Sequence, residues 1–177
     1  MSIPISDNLR QWLETKNLQG YIRIAEATPH PNVLELVQQI DIAKITNKHV
    51  RTILNLKREG FDVVQKMDKE TLRSYFGEYS PSAKAFQTMG GQDEFFHEVA
   101  KFMLEVAFVT PLFYDMPKKR AGFIIATYEG ETFDWGLLLA EALCDQLYGV
   151  QHKGKPMKTI FARWMSVLFP PQSSENW

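Results

Sequence analysis

Hydrophobic positions crowd most densely near the C-terminus. In Asp134–Tyr148 (DWGLLLAEALCDQLY), Trp135, Leu138, Leu139, Ala142, Leu143 and Leu147 recur at helical spacing, while Leu137, Ala140, Cys144 and Tyr148 make the flank apolar too. Glu141, Asp145 and Gln146 interrupt the pattern, which predicts a central, largely buried helix. A second amphipathic segment, Pro156–Leu168 (PMKTIFARWMSVL), follows a polar turn containing Gly149 and Gly154. So short a turn favours antiparallel neighbours, with Trp135, Leu139 and Leu143 facing Phe161, Trp164 and Leu168. Pro156 suits the first turn of the second helix, where no intrahelical N–H bond is lost.

Upstream the pattern is helical almost throughout. Ser6 or Asp7 can cap a first helix striped by Leu9, Trp12 and Leu13 and ending near Gly20. A second helix begins after Pro31 with Val33, Leu36, Val37 and Ile40 on one side, and a third starts at Thr46 or Asn47, carries Val50, Ile53 and Leu54, and is closed by Gly60. Asp68 reads as the next N-cap, before Leu72, Tyr75, Phe76 and Tyr79, with Gly77 as an arrest point. Ser80–Met89 opens with Ser-Pro-Ser, a helix start, and Gly90-Gly91 breaks it. From Asp93 to Val109, Phe95, Val99, Phe102, Met103 and Val106 oppose Glu94, His97, Glu98, Lys101 and Glu105. Pro111 and Pro117 bracket an irregular connection. Ala121–Tyr128 (AGFIIATY) fits strand and helix equally, and Phe61–Val64 (FDVV) reads as extended. This is too little β-structure for an independent sheet. The expectation is an all-α domain spanning 1–177, with seven to eight helices and at most a short hairpin or strand pair.

Composition narrows the class. With 177 residues, 45% hydrophobic and 23% charged, the chain can bury a substantial core. A net charge of -1 rules out a uniformly basic surface but not a local patch. Cys144 is the sole cysteine, so no intramolecular disulfide forms, which favours a reducing compartment. No stretch approaches the roughly 20 apolar residues that span a bilayer, and MSIPISDNLRQW lacks the apolar core of a signal peptide. An intracellular protein, cytoplasmic or nuclear and without membrane attachment, is the simplest reading.

Catalytic patterns fall short on chemistry. His97-Glu98-Val99-Ala100-Lys101 approaches H-E-x-x-H, but a cationic lysine replaces the second imidazole that zinc requires. Glu94-x-x-His97 is half of a di-iron bundle motif, with no second copy. Cys144 lies on the most apolar helix beside Asp145, which disfavours a thiolate, so a small core residue is its expected role. His30, His49 and His152 show no triad spacing, Glu141 and Asp145 read as a solvent edge, and phosphate-binding glycine loops are absent. No catalytic residue, metal site or cofactor is expected.

One constellation points outward. Residues Lys44 to Arg58 (KITNKHVRTILNLKR) carry Lys44, Lys48, Arg51, Lys57 and Arg58 without an acid. The order helix (Asn32–Ile40), tight turn, helix, then Glu59-Gly60-Phe61 imitates a winged helix-turn-helix whose exposed face presents Asn47, Lys48, Arg51, Thr52 and Asn55. The plainer alternative is a solvated basic face on a helix that packs through Val50, Ile53 and Leu54.

Two stretches resemble the plant mobile domain and related transposon- or retrotransposon-derived plant proteins. They are His49–Gly77 (HVRTILNLKREGFDVVQKMDKETLRSYFG) and Phe133–Phe169, where a Trp opens an apolar helix and a Lys/Gly-rich turn leads to another. The resemblance implies an all-helical module derived from a mobile element, without catalytic residues to carry over. Twelve Phe, four Trp and seven Met exceed what a minimal core needs, and such side chains enrich at interface centres. The leading expectation is therefore a non-enzymatic interaction module that binds a protein partner or a second copy through Leu112, Phe113, Tyr114 and Met116. Nucleic-acid binding through Lys44, Asn47, Lys48, Arg51, Lys57 and Arg58 is the alternative.

Overall fold

A computed structural model describes residues 3–57, 68–77, 79–80, 85–87, 93–109 and 115–171, with backbone alone at 69, 79–80, 85–87 and 115–119. The fold is all-α, with one small antiparallel sheet. Its backbone sorts into two units: Met1–Arg58 with Trp135–Trp177, and Glu59–Asp134. Residues 1–177 read as one unit in the sequence because neither boundary carries a Pro/Gly-rich linker.

In unit 1, α1 (Asp7–Thr15) is capped by Ser6, whose Oγ accepts the Leu9 N–H, and closes on Asn17 in the left-handed region. α2 (Gly20–Glu26) buries Tyr21, Ile22, Ile24 and Ala25, although the sequence reading ends a helix at Gly20 and starts none there. Gly20 permits contact instead of stopping the chain: a Cβ there would collide with the main-chain carbonyl of Leu54. α3 (Val33–Val37) is half the expected length. Gln151 Nε2 donates to the carbonyls of Val37 and Ile40, each at 2.8 Å, tying down the chain where the helix ends. A 3₁₀ turn (Ile42–Lys44) leads to α4 (Asn47–Leu54), capped by Thr46 and closed by Asn55 at φ 54.

α8 (Trp135–His152) runs four residues beyond the expected Tyr148, through Gly149. α9 (Thr159–Leu168) starts after Pro156, which therefore lies outside the helix, because the chain takes until Lys158 to turn around the end of α8. Nor do α8 and α9 run against each other as a hairpin. α8 packs mainly on α4, and α9 on α2, α3 and α4. Tyr21 sets its ring edge-on to both Trp135 and Trp164, with centroids 6.3 and 6.1 Å away. Phe161, Trp164, Met165 and Leu168 are buried, and so is Arg163, whose Nη1 donates to Ala25 O at 2.9 Å.

In unit 2, α5 (Lys69–Phe76) is capped by Asp68, which accepts the Thr71 N–H, and Gly77 at φ 89 ends it. Ser80 and Ala85–Gln87, inside the helix expected over Ser80–Met89, are strand instead, and the rest of that span lies outside the described residues. β1 (Tyr79–Ser80) pairs with β2 (Ala85–Gln87), and β2 with β3 (Asp115–Pro117), all antiparallel. β3, inside the connection expected to be irregular, supplies a partner for β2. α6 (Glu94–Phe102), capped by Asp93, continues as a π-helical turn (Met103–Ala107) and stops at Val109, φ 51. α7 (Lys118–Tyr128) settles the ambiguous Ala121–Tyr128 as helix. Every residue from Ala121 to Thr127 is buried, so no polar face marks its period. Phe61–Val64, Gly60 and Gly90-Gly91 lie outside the described residues.

Candidate functional site

The basic segment divides in two. Lys44, Lys48 and Lys57 are exposed, whereas Asn47 and Arg51 are half-buried. Arg51 Nε donates to Asn47 Oδ1 at 3.0 Å, and both side chains lie over Gly136 of α8, where a Cβ would collide with them. The pair best suited to base edges is thus engaged in the α4–α8 contact. The turn before α4 is also longer than the tight turn expected of a helix-turn-helix, since residues 38–46 separate α3 from α4. Arg58 and the Glu59–Phe61 wing lie outside the described residues, as do Leu112, Phe113 and Tyr114. Met116 is placed by its backbone, opposite Phe86 in the sheet.

The residues weighed for catalysis have structural settings. His97 and Glu98 are half-buried on α6, and Lys101 is exposed one turn later. Asp93 accepts the Phe96 N–H and, at 3.0 Å, the Tyr128 hydroxyl, and these bonds hold its carboxyl below its ordinary range. Cys144 Sγ faces Ile45 O at 3.6 Å; burial first, then Asp145 and Glu141, push its thiol up. A neutral thiol is a poor nucleophile. Among the described residues, no three His, Cys, Asp or Glu side chains gather as metal ligands would.

A surface that the sequence reading passed over as a polar turn stands at the C-terminal end of α8. The helix's extra turn brings Tyr148 and His152 together, ring centroids 4.9 Å apart, and Lys153 Nζ lies 5.6 Å from the Tyr148 ring centre. The amides of Lys153 and Lys155 both donate to Gly149 O at 3.1 Å, with Gly154 between them at φ +62. This doubles the turn back and lays the Lys155 stem across Gly149, where a Cβ would sit 2.9 Å from Cδ. Gln151 anchors the same end of α8 to α3. Tyr148 remains 49% exposed; Leu34 of α3, at 58%, is the other exposed large hydrophobic among the described residues. None of Lys153, Lys155 and Lys158 has a described carboxylate within ion-pair distance. The sequence signal was His152-Lys153-Gly154-Lys155-Pro156-Met157-Lys158, a basic run without an acid.

No family model, curated protein or solved structure matches this chain. Among the described residues, no helix is long and apolar enough to cross a membrane.

Proposed function

We propose that this chain is a non-enzymatic helical binding module that engages an acidic partner through the tip of α8. The supporting observation is the half-exposed Tyr148 ring beside Lys153, on a turn whose lysines have no carboxylate partner among the described residues. Exposed aromatic and cationic side chains held on a folded scaffold are the means by which binding surfaces gain both area and steering. Heparin, a polyanion without bases, tests the reading. The protein should be retained at low salt, and Lys153→Glu, Lys155→Glu and Lys158→Glu combined should abolish retention; retention unchanged by them sinks it. A second copy is the second reading, because the net charge of -1 leaves the remainder of the chain acidic against this tip. Light scattering would then show mass rising with concentration, and the same substitutions would prevent it. The mobile-element ancestry implied by the plant-mobile-domain resemblance is part of this proposal as a statement of origin alone.

A further inference from the structure

Resting on that reading, we propose that the acidic partner is single-stranded nucleic acid, with phosphates on Lys153, Lys155 and Lys158 and a base stacked on Tyr148. Folded around Gly149, the turn sets Lys153 over the Tyr148 ring and the Lys155 stem across Gly149, and half-buried Lys158 follows three residues on. The exposed carboxylates Asp145 and Glu141 share the Tyr148 face of α8, one and two turns nearer the helix N-terminus, on the side away from the turn that carries the lysines. An aromatic ring beside such lysines is the arrangement by which proteins hold unpaired bases, because every base offers a π-face once it is unstacked. The Lys153 ammonium now over the Tyr148 ring stands where an arriving base would lie. It sits on a long, flexible stem, so it can move to a phosphate and leave the ring to the base. A duplex keeps its bases stacked inside and offers this site phosphates alone.

Fluorescence anisotropy with the full chain and a labelled 12-nucleotide single strand, its duplex, and heparin as competitor provides the test. The strand should bind more tightly than the duplex, and log affinity should fall against log salt with a slope of about −2, as expected for three phosphate contacts on a single strand. Tyr148→Ala, a change at an exposed position, should weaken strand binding about tenfold or more while leaving the duplex within about twofold. Lys153→Glu with Lys155→Glu should abolish both. Equal strand and duplex affinity, or no effect of Tyr148→Ala on the strand, overturns the inference. Heparin binding without strand binding overturns it too but leaves the acidic-partner reading standing. If neither ligand binds at low salt, both fall.

Discussion

Unit 1 adds to its Tyr21–Trp135–Trp164 rings a set of side chains that reach across the sequence to main-chain atoms, whereas unit 2 gathers aromatic rings from α5, α6 and α7 around Phe96. In unit 1, Arg163 reaches Ala25 O, Gln151 reaches Val37 O and Ile40 O, His49 Nε2 meets Leu168 O at 2.9 Å, and Ser166 Oγ accepts the His30 N–H. These bonds join the two ends of the chain, where connectivity gives no help with register. In unit 2, Phe96 lies 4.8 Å from Tyr75, 5.0 Å from Phe76 and 5.0 Å from Tyr128, with the Tyr128–Asp93 bond at the edge. Edge-to-face rings add about 0.5–1.5 kcal/mol per pair beyond burial but tolerate rotation and slip. A directional bond to one carbonyl does not. The difference teaches that directional bonds to single carbonyls fix an alignment between segments that ring packing, in either unit, holds together without specifying.

The sharpest way to break the comparison is to remove the central ring of each unit. Trp164→Ala and Phe96→Ala should each destabilise by about 3–5 kcal/mol, the range for deleting a buried large aromatic; both side chains are fully buried. Hydrogen exchange should show lost protection in α2 and α9 for the first, and in α5 and α7 for the second. A urea melt within about 0.5 kcal/mol of the unaltered protein, as at ordinary surface positions, would place that ring outside its core.

The polar stitching predicts a smaller loss of a different kind. Gln151→Ala takes the side-chain donor from the Ile40 carbonyl and leaves the Val37 carbonyl with the Ile40 amide, at a partly buried site, and should cost about 1–2 kcal/mol. Gln151→Leu, which keeps the apolar stem, should cost nearly as much; full rescue by leucine would mean that packing, not direction, fixes α3 against α8.

How far the sequence could foretell these arrangements follows from the same contrast. Caps are local: Asp68 accepts the amide expected of it, Ser6 and Thr46 cap where the sequence offers either of two residues, and Asp93 caps the helix expected to start there. Long-range partners leave no local mark. Gly20 carries a stop signal in sequence, but its absent side chain is needed by Leu54, far along the chain, and so α2 went unread. Missing α2 meant missing Tyr21, and without that ring Trp135 and Trp164 looked like partners across a hairpin. α7 hid its period because it is buried on every side. The sequence spells the tip of α8 as a basic run and places Tyr148 on the apolar flank; the helix's extension to His152 sets it beside His152 and Lys153.

Tyr21 sharpens the comparison from the other side, because unit 1 also contains a polar group that stitches nothing. Its hydroxyl is buried without a described hydrogen-bond partner, and burial holds its pKa well above the ordinary 10.0. Tyr21→Phe should therefore be neutral or stabilising by up to about 1 kcal/mol at pH 7. A folded-state pKa above the unfolded value contributes stability that is complete below pH 10 and lost as pH rises. Urea melts above pH 10 should accordingly show a shallower decline for Tyr21→Phe. A clear destabilisation at pH 7 would mean that the hydroxyl has a partner.

The smallest effect belongs to unit 2 and concerns the carboxylates that cap its helices. The Phe96 amide first, and the Tyr128 hydroxyl with it, lower the Asp93 pKa from its ordinary 3.8, and Thr71 lowers that of Asp68 in the same way. A carboxylate with a depressed folded pKa contributes stability that is present above its unfolded value and lost as pH falls through the folded one. Both groups lie near the surface, so solvent keeps the contribution small. Stability of α5 and α6 should therefore decline on acidification from about pH 4 downward. Asparagine caps a helix as well as aspartate does, so Asp93→Asn should keep the neutral-pH stability nearly intact and flatten part of the acid decline, and adding Asp68→Asn should flatten it further. If the double variant declines as steeply as the unaltered protein, the acid sensitivity lies in other carboxylates, and the Tyr128–Asp93 bond is an ornament on a cluster that its rings already hold.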